Sequence, residues 1–165
     1  YGPAFELHEN RAREPGSEEY LDSEKYQIRV WDVARPDSLR ELIARVNRIR
    51  REHAALHADR RLRFHYTDND MILCYSKSTA DLRDVVLIVV NLDPHHVQAG
   101  WVELPLHEFG LDPHRPYQAH DLLSGARYLW SGTRNYVQLN PHGLPAHIFK
   151  LRRHLRSEHD FDYYL

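Results

Sequence analysis

The residues most able to do chemistry lie in one polar run, Gly16-Ser17-Glu18-Glu19-Tyr20-Leu21-Asp22-Ser23-Glu24-Lys25-Tyr26. It carries two tyrosines, one lysine and four carboxylates. A lysine ammonium and a tyrosine hydroxyl are suited to a phosphate, the first as a charge and the second as a hydrogen-bond donor. In an α/β barrel such a loop, placed after a strand, builds the active-site face. The plainer account is a solvated acidic loop in which Lys25 pairs with Asp22 or Glu24. Paired carboxylates also suggest glycoside chemistry. Glu18, Glu19, Asp22 and Glu24, however, share one loop with no apolar surroundings to split their pKa values, so they are not read as a catalytic pair.

Three other constellations compete for attention. The sequence has 13 histidines, and His53 and His57 stand four apart on a predicted helix, as two metal ligands would. No third ligand follows at a useful spacing, and the helix dipole accounts for histidines near a C-terminus. No metal site and no cofactor is expected. His120-Asp121 with Ser124 offers loose hydrolase chemistry, without the Gly-x-Ser-x-Gly turn that presents a nucleophile. Trp101, Trp130, Tyr128 and Tyr136 could stack on sugars, although packing in a core is the commoner use of such rings.

Stepping outward, Tyr1 to Leu7 is a short apolar segment that could end a buried strand. Pro15-Gly16 marks a turn in the polar stretch after it. Ser38 and Glu41 have the spacing of a capping box, with Asp37 as a rival cap. Leu39, Leu42, Ile43, Val46, Ile49 and Leu56 form one apolar stripe, which predicts a helix over 39–56. One strand and one amphipathic helix cannot bury that stripe. The first region therefore reads as a strand–helix unit from a larger α/β body.

From about Arg60 to Arg153 the pattern is all-β. Strands are predicted at 62–66, 71–77, 85–92, 101–106, 117–122, 126–130, 136–139 and 146–151, separated by Asp-, Asn-, Gly- and Pro-rich turns. Val85 to Val90 is apolar on both faces and is expected at the centre. Pro105 argues for a strand end or edge. The last twelve residues are charged and end in Phe161, Tyr163, Tyr164 and Leu165; this tail is expected to dock on something.

Composition limits the partners. A formal net charge of -2 gives no basis for nucleic-acid binding. No stretch approaches the length of a membrane helix. The single cysteine, Cys74, cannot form an internal disulfide, which fits a reducing compartment. The first 30 residues are too charged for a signal peptide, and the opening on Tyr1 is what a piece of a longer protein would show.

Several phrases resemble a known family. Tyr1-Gly2-Pro3-Ala4-Phe5-Glu6-Leu7, Glu9-Asn10 and Glu18 to Tyr26 are similar to the end of the barrel in the bacterial α-1,4-glucan:maltose-1-phosphate maltosyltransferases of glycoside hydrolase family 13. The helix through Leu42 to Glu52 resembles their eighth barrel helix. Val89-Val90-Asn91-Leu92-Asp93-Pro94-His95, Tyr117 to Gly125 and Glu158 to Leu165 resemble their C-terminal sandwich.

The resemblance implies a mixed fold: the last β/α unit of a (β/α)8 barrel (1–58), an antiparallel β-sandwich of the α-amylase C-terminal type (59–153), and a tail (154–165). It implies retaining transfer of maltosyl from α-maltose 1-phosphate to α-1,4-glucan, with Lys25 and Tyr26 contacting the sugar phosphate. The family's nucleophile, acid/base and assisting aspartate lie on earlier barrel strands, so no catalytic residue is expected here and the chain alone should be inactive. A cytoplasmic homodimer is the expected full-length form. An α-glucan-binding sandwich module, or a purely structural accessory domain of another α-amylase relative, remains as an alternative.

Overall fold

A computed structural model describes residues 3–21, 28 and 30–153. The chain divides into two compact units, Tyr1–Arg48 and Ile49–Leu165. The expected tail (154–165) lies outside the described residues.

In the first unit, Pro3–Glu6 forms a single helical turn, α1, where a strand end was expected. A strand needs neighbours to take its backbone groups. Here the Glu6 carbonyl instead accepts the Leu39 N–H at 2.8 Å, and His8 closes the turn by donating its N–H to Phe5. His8 adopts a left-handed backbone (φ 58°) to do so. The helix α2 spans Arg40–Glu52. Ser38 Oγ accepts the Arg40 N–H at 3.2 Å, as a capping serine should. Asp37, the rival cap, is held by the Arg35 guanidinium. Along the apolar stripe Ile49 is buried, yet Leu42 and Val46 stay 40% and 39% exposed.

The second unit is built from eight antiparallel strands. They are β1 (Arg63–Phe64), β2 (Ile72–Ser78), β3 (Val85–Asn91), β4 (Gln98–Glu103), β5 (Tyr117–Asp121), β6 (Arg127–Trp130), β7 (Arg134–Leu139) and β8 (Ala146–Arg153). A six-stranded sheet runs β1-β2-β3-β8-β5-β6, and β4 pairs with β7 in a second sheet. Residues of both sheets share one core, including Leu87 and Val89 of β3, Phe149 of β8, Val102 of β4 and Leu139 of β7. Two sheets with a common core are consistent with a β-sandwich.

Central placement of β3 follows from its composition. Val85, Leu87 and Val89 enter the intersheet core. Val86 and Ile88 point the other way and are covered by Ala55 and Leu56. That cover is a 3-10 turn over Ala54–His57, so α2 stops at Glu52 rather than continuing to Leu56. The cause is tertiary. Asp84 accepts the Ala55 N–H and a bond from His53 Nδ1, each at 2.9 Å. Asp84 also pairs with the buried Lys150 ammonium. Lys77 Nζ reaches Asp59 at 2.8 Å, just beyond the turn.

Polar groups in the interior are matched. The buried Tyr117 hydroxyl donates to the Gly132 carbonyl and accepts from Asn135 Nδ2 at 2.7 Å. His65 meets Ser76 Oγ at 2.7 Å and lies edge-on to Phe109. Burial, with Arg63 nearby, drives the His65 imidazole down to about 4. Burial would raise the Asp84 carboxyl, but the Ala55 N–H, Lys150 and His53 overcome it and hold Asp84 at about 2. Cys74, fully enclosed in β2, is pushed up to about 12 by burial alone.

Asp84→Asn should destabilise the second unit by about 3–5 kcal/mol, because it leaves the Lys150 charge buried without its partner; urea unfolding will measure this. The pH dependence has a defined sign. His65 and Asp84 both titrate lower in the folded chain, so the unfolded chain binds more protons and stability falls with acid. The His65 contribution is complete above its ordinary value of 6.5 and disappears as pH falls toward about 4. The Asp84 contribution is complete above 3.8 and disappears toward about 2. His65→Gln should flatten the upper window and leave the lower one.

Candidate functional site

The polar run Gly16 to Tyr26 starts inside a hairpin of residues 11–21. Ala12 and Tyr20 form an antiparallel bridge. Arg13 N–H donates to the Glu19 carbonyl at 2.8 Å and Leu21 N–H to the Arg11 carbonyl at 2.6 Å. Pro15-Gly16 makes the turn, and Gly16 has φ 81°, which a glycine adopts without steric cost. Glu19 is occupied by Arg13 at 3.0 Å, with both side chains in solvent. The hairpin therefore delivers the chain to residues 22–27. Lys25 and Tyr26, the expected substrate contacts, fall in that segment and lie outside the described residues, as do Asp22 and Glu24.

An open cleft of about 590 Å³ sits at the base of this hairpin, lined by Phe5, His8, Glu9, Asn10, Glu18, Tyr20 and Leu39. Phe5 and Tyr20 are 62% and 51% exposed. Aromatic faces beside two carboxylates, an amide and an imidazole can hold a sugar by stacking and hydrogen bonding. Sequence reasoning singled out Glu18 and Tyr20 but not Phe5 or His8. The left-handed turn that brings His8 beside Asn10 has no glycine to signal it.

The other constellations resolve into structural roles. His53 and His57 do not share a helix face, since α2 ends before both. His53 serves Asp84, and His57 Nε2 meets the Arg50 carbonyl at 2.8 Å near the helix end. Asp121 is fully buried, and its histidine partner is His147 (Nδ1 at 3.0 Å), not His120. Its oxygens also accept the N–H groups of Leu123, Ser124 and Ile148 and the Ser124 hydroxyl. Burial would raise this carboxyl, but His147, Ser124 and the Leu123 N–H hold it below the ordinary value. Ser124 thus donates its hydroxyl hydrogen bond to the carboxylate rather than to a histidine, and the group ties the turn after β5 to β8.

The Asn91-Leu92-Asp93-Pro94 phrase is likewise consumed in its own loop. Asn91 Nδ2 donates to the His96 and Leu139 carbonyls at 3.0 and 3.2 Å. Asp93 accepts the His95 and His96 N–H groups and bonds from His96 Nδ1 and Gln98 Nε2. The aromatic residues divide in two. Trp130 and Tyr128 pack against Phe149 in the core. Trp101 and Tyr136 are cross-strand neighbours on β4 and β7, 44% and 53% exposed.

Fold and site together define an all-β domain whose polar motifs build loops, preceded by a segment that carries a helix and an open cleft. The family described as "GLGE, C-terminal" matches residues 64–151, and the chain belongs to that family. Relatives named alpha-1,4-glucan:maltose-1-phosphate maltosyltransferase are similar along nearly the whole chain. The protein from Methylacidiphilum infernorum is 46% identical over 92% of this chain. A second, from Streptomyces coelicolor, is 49% identical over 90%, and that from Myxococcus xanthus is 45% identical over 97%. The chain spans only 22%, 22% and 24% of these relatives' lengths.

Asp121→Ala should cost the second unit about 3 kcal/mol or more, because several buried donors lose their acceptor together. Thermal unfolding followed by circular dichroism will show it. A Ser124→Ala chain should lose far less, since only the hydroxyl's bonds to Asp121 and from the Ala126 N–H disappear and no buried charge is stranded.

Proposed function

We propose that this chain is the C-terminal part of a retaining maltosyltransferase that moves maltosyl from α-maltose 1-phosphate to the non-reducing end of α-1,4-glucan and releases phosphate. The observation that carries the reading is identity of 45–49% to three maltosyltransferases over at least nine-tenths of the chain. In this reading residues 1–58 are the closing unit of the catalytic barrel, 59–153 its sandwich domain and 154–165 a docking tail. The exposed Leu42 and Val46 support it. An amphipathic helix is stabilised mainly by burying its apolar face, and the rest of a barrel would cover these two side chains.

Lys25 and Tyr26 bind the sugar phosphate. The leaving group is a phosphate, and a charged hydrogen bond to it contributes about 1.5–3 kcal/mol. Any part of that bond that strengthens as the glycosidic bond breaks lowers the barrier. The Tyr26 hydroxyl adds a second donor. The hairpin of residues 11–21 precedes these two residues in the chain, and Glu18 and Tyr20 offer sugar-binding groups in the cleft. The nucleophile, acid/base and assisting aspartate belong to earlier strands of the barrel, so chemistry requires the whole enzyme, a cytoplasmic homodimer.

Lys25→Ala in the full-length enzyme should lower kcat/KM for α-maltose 1-phosphate by roughly tenfold to a hundredfold. An unchanged value removes Lys25 from the site. Absence of phosphate release from α-maltose 1-phosphate by the unaltered full-length enzyme, with glycogen present, would overturn the reading as a whole.

A further inference from the structure

We propose that Trp101 and Tyr136 form a separate binding site for α-1,4-glucan on the outer face of the β4–β7 sheet. The choice of glucan rests on the maltosyltransferase reading; the existence of the site rests on geometry.

In β4 and β7 alternate residues face outward. The register pairs Ala99 with Gln138, Trp101 with Tyr136 and Glu103 with Arg134. Two aromatic rings thus stand at the centre, with an amide at one end and a carboxylate and a guanidinium at the other. This is the composition of a sugar-binding surface: apolar ring faces to cover the C–H face of a pyranose, and planar polar groups around them for its hydroxyls. Trp101, Glu103, Arg134, Tyr136 and Gln138 are all exposed.

The platform is held in place. Asp68 Oδ1 accepts the Trp101 backbone N–H at 2.7 Å, which fixes the strand under the ring, and Asp68 Oδ2 lies 3.7 Å from the Arg134 guanidinium. The guanidinium in turn lies over one face of the Trp101 ring, 5.5 Å from its centroid, so a sugar would stack on the opposite face. Asp68 can approach this closely because residue 100 is glycine; a Cβ there would meet Asp68 Oδ1 at 2.8 Å. A ring fixed in advance loses little conformational freedom on binding.

Ring orientation selects the polymer. The Trp101 and Tyr136 centroids are 5.5 Å apart and the planes are inclined by 66°. A β-1,4-linked glucan is a flat ribbon whose sugar faces are parallel, so it wants parallel rings. An α-1,4-linked chain turns at every linkage and offers successive faces at an angle. The inclined pair fits the second.

The test uses the 165-residue chain in native gels containing glycogen, with maltoheptaose and cellohexaose as soluble probes. Glycogen should retard the chain, and Trp101→Ala or Tyr136→Ala should weaken maltoheptaose binding about tenfold. Trp31→Phe and Trp130→Phe should bind as the unaltered chain does. In the unaltered chain the Trp101 indole N–H resonance should move on adding maltoheptaose and stay still with cellohexaose, a readout that does not depend on any variant folding. No retardation, an unmoved Trp101 resonance, or equal binding of both oligosaccharides would overturn the proposal. Turnover of α-maltose 1-phosphate by the full-length enzyme tests the maltosyltransferase reading separately, so either can fail alone.

Discussion

The second unit depends on a strand that has no solvent face. β3 presents Val85, Leu87 and Val89 to one side and Val86 and Ile88 to the other, all buried. Burial of each such side chain contributes about 1.5–3 kcal/mol, and both sides must be closed to collect it. The β4–β7 sheet closes one side. The other is closed by a single 3-10 turn of four residues, too short to hold its place by its own hydrogen bonds. Asp84, at the entrance to β3, pins that turn through the Ala55 N–H and His53 while Lys150 balances its charge. A charge pair of this kind is a weak source of net stability but a strong constraint on geometry. Its work is to fix where the turn sits.

The regular part of the fold was legible because strand signals are local. Alternation and turn residues marked all eight strands, and Pro105 marked the end of β4, which stops at Glu103 before a 3-10 turn. Misreadings came where a distant group decided the matter. The stripe from Leu39 to Leu56 has helical spacing throughout, yet Asp84 captures Ala55 and ends the helix at Glu52. The apolar residues near the N-terminus suit a strand, but Pro3–Glu6 form a helical turn whose Glu6 carbonyl takes the distant Leu39 N–H. β4 begins at Gln98 because its partner β7 reaches that far, which Gln98-Ala99-Gly100 alone does not announce.

The site was legible to a different degree. Chemistry-bearing residue types drew attention to Glu18–Tyr26, to Asp121 with Ser124, and to four aromatics. Three-dimensional placement sorted the last two groups. Asp121 and Asp93 are spent on turns, where several backbone N–H groups converge on one carboxylate, and Asn91 spends its amide on two backbone carbonyls and one N–H. Trp130 and Trp101 look alike in sequence, but one faces the core and the other faces out by the parity of its strand. A protein can thus carry many polar groups in well-formed arrangements and direct few of them outward.

One buried group has a consequence for oxidative chemistry. The sequence holds a single cysteine and a single methionine. Cys74 is enclosed within the sheet and keeps its proton at any physiological pH, and the thiolate is the form that attacks peroxides and disulfides. Met71, one residue before β2, is 41% exposed. Sulfur oxidation in the native fold therefore falls on a thioether at the lip of the strand rather than on the thiol inside it. The product, a sulfoxide, is one that reductases can reverse and that cross-links nothing.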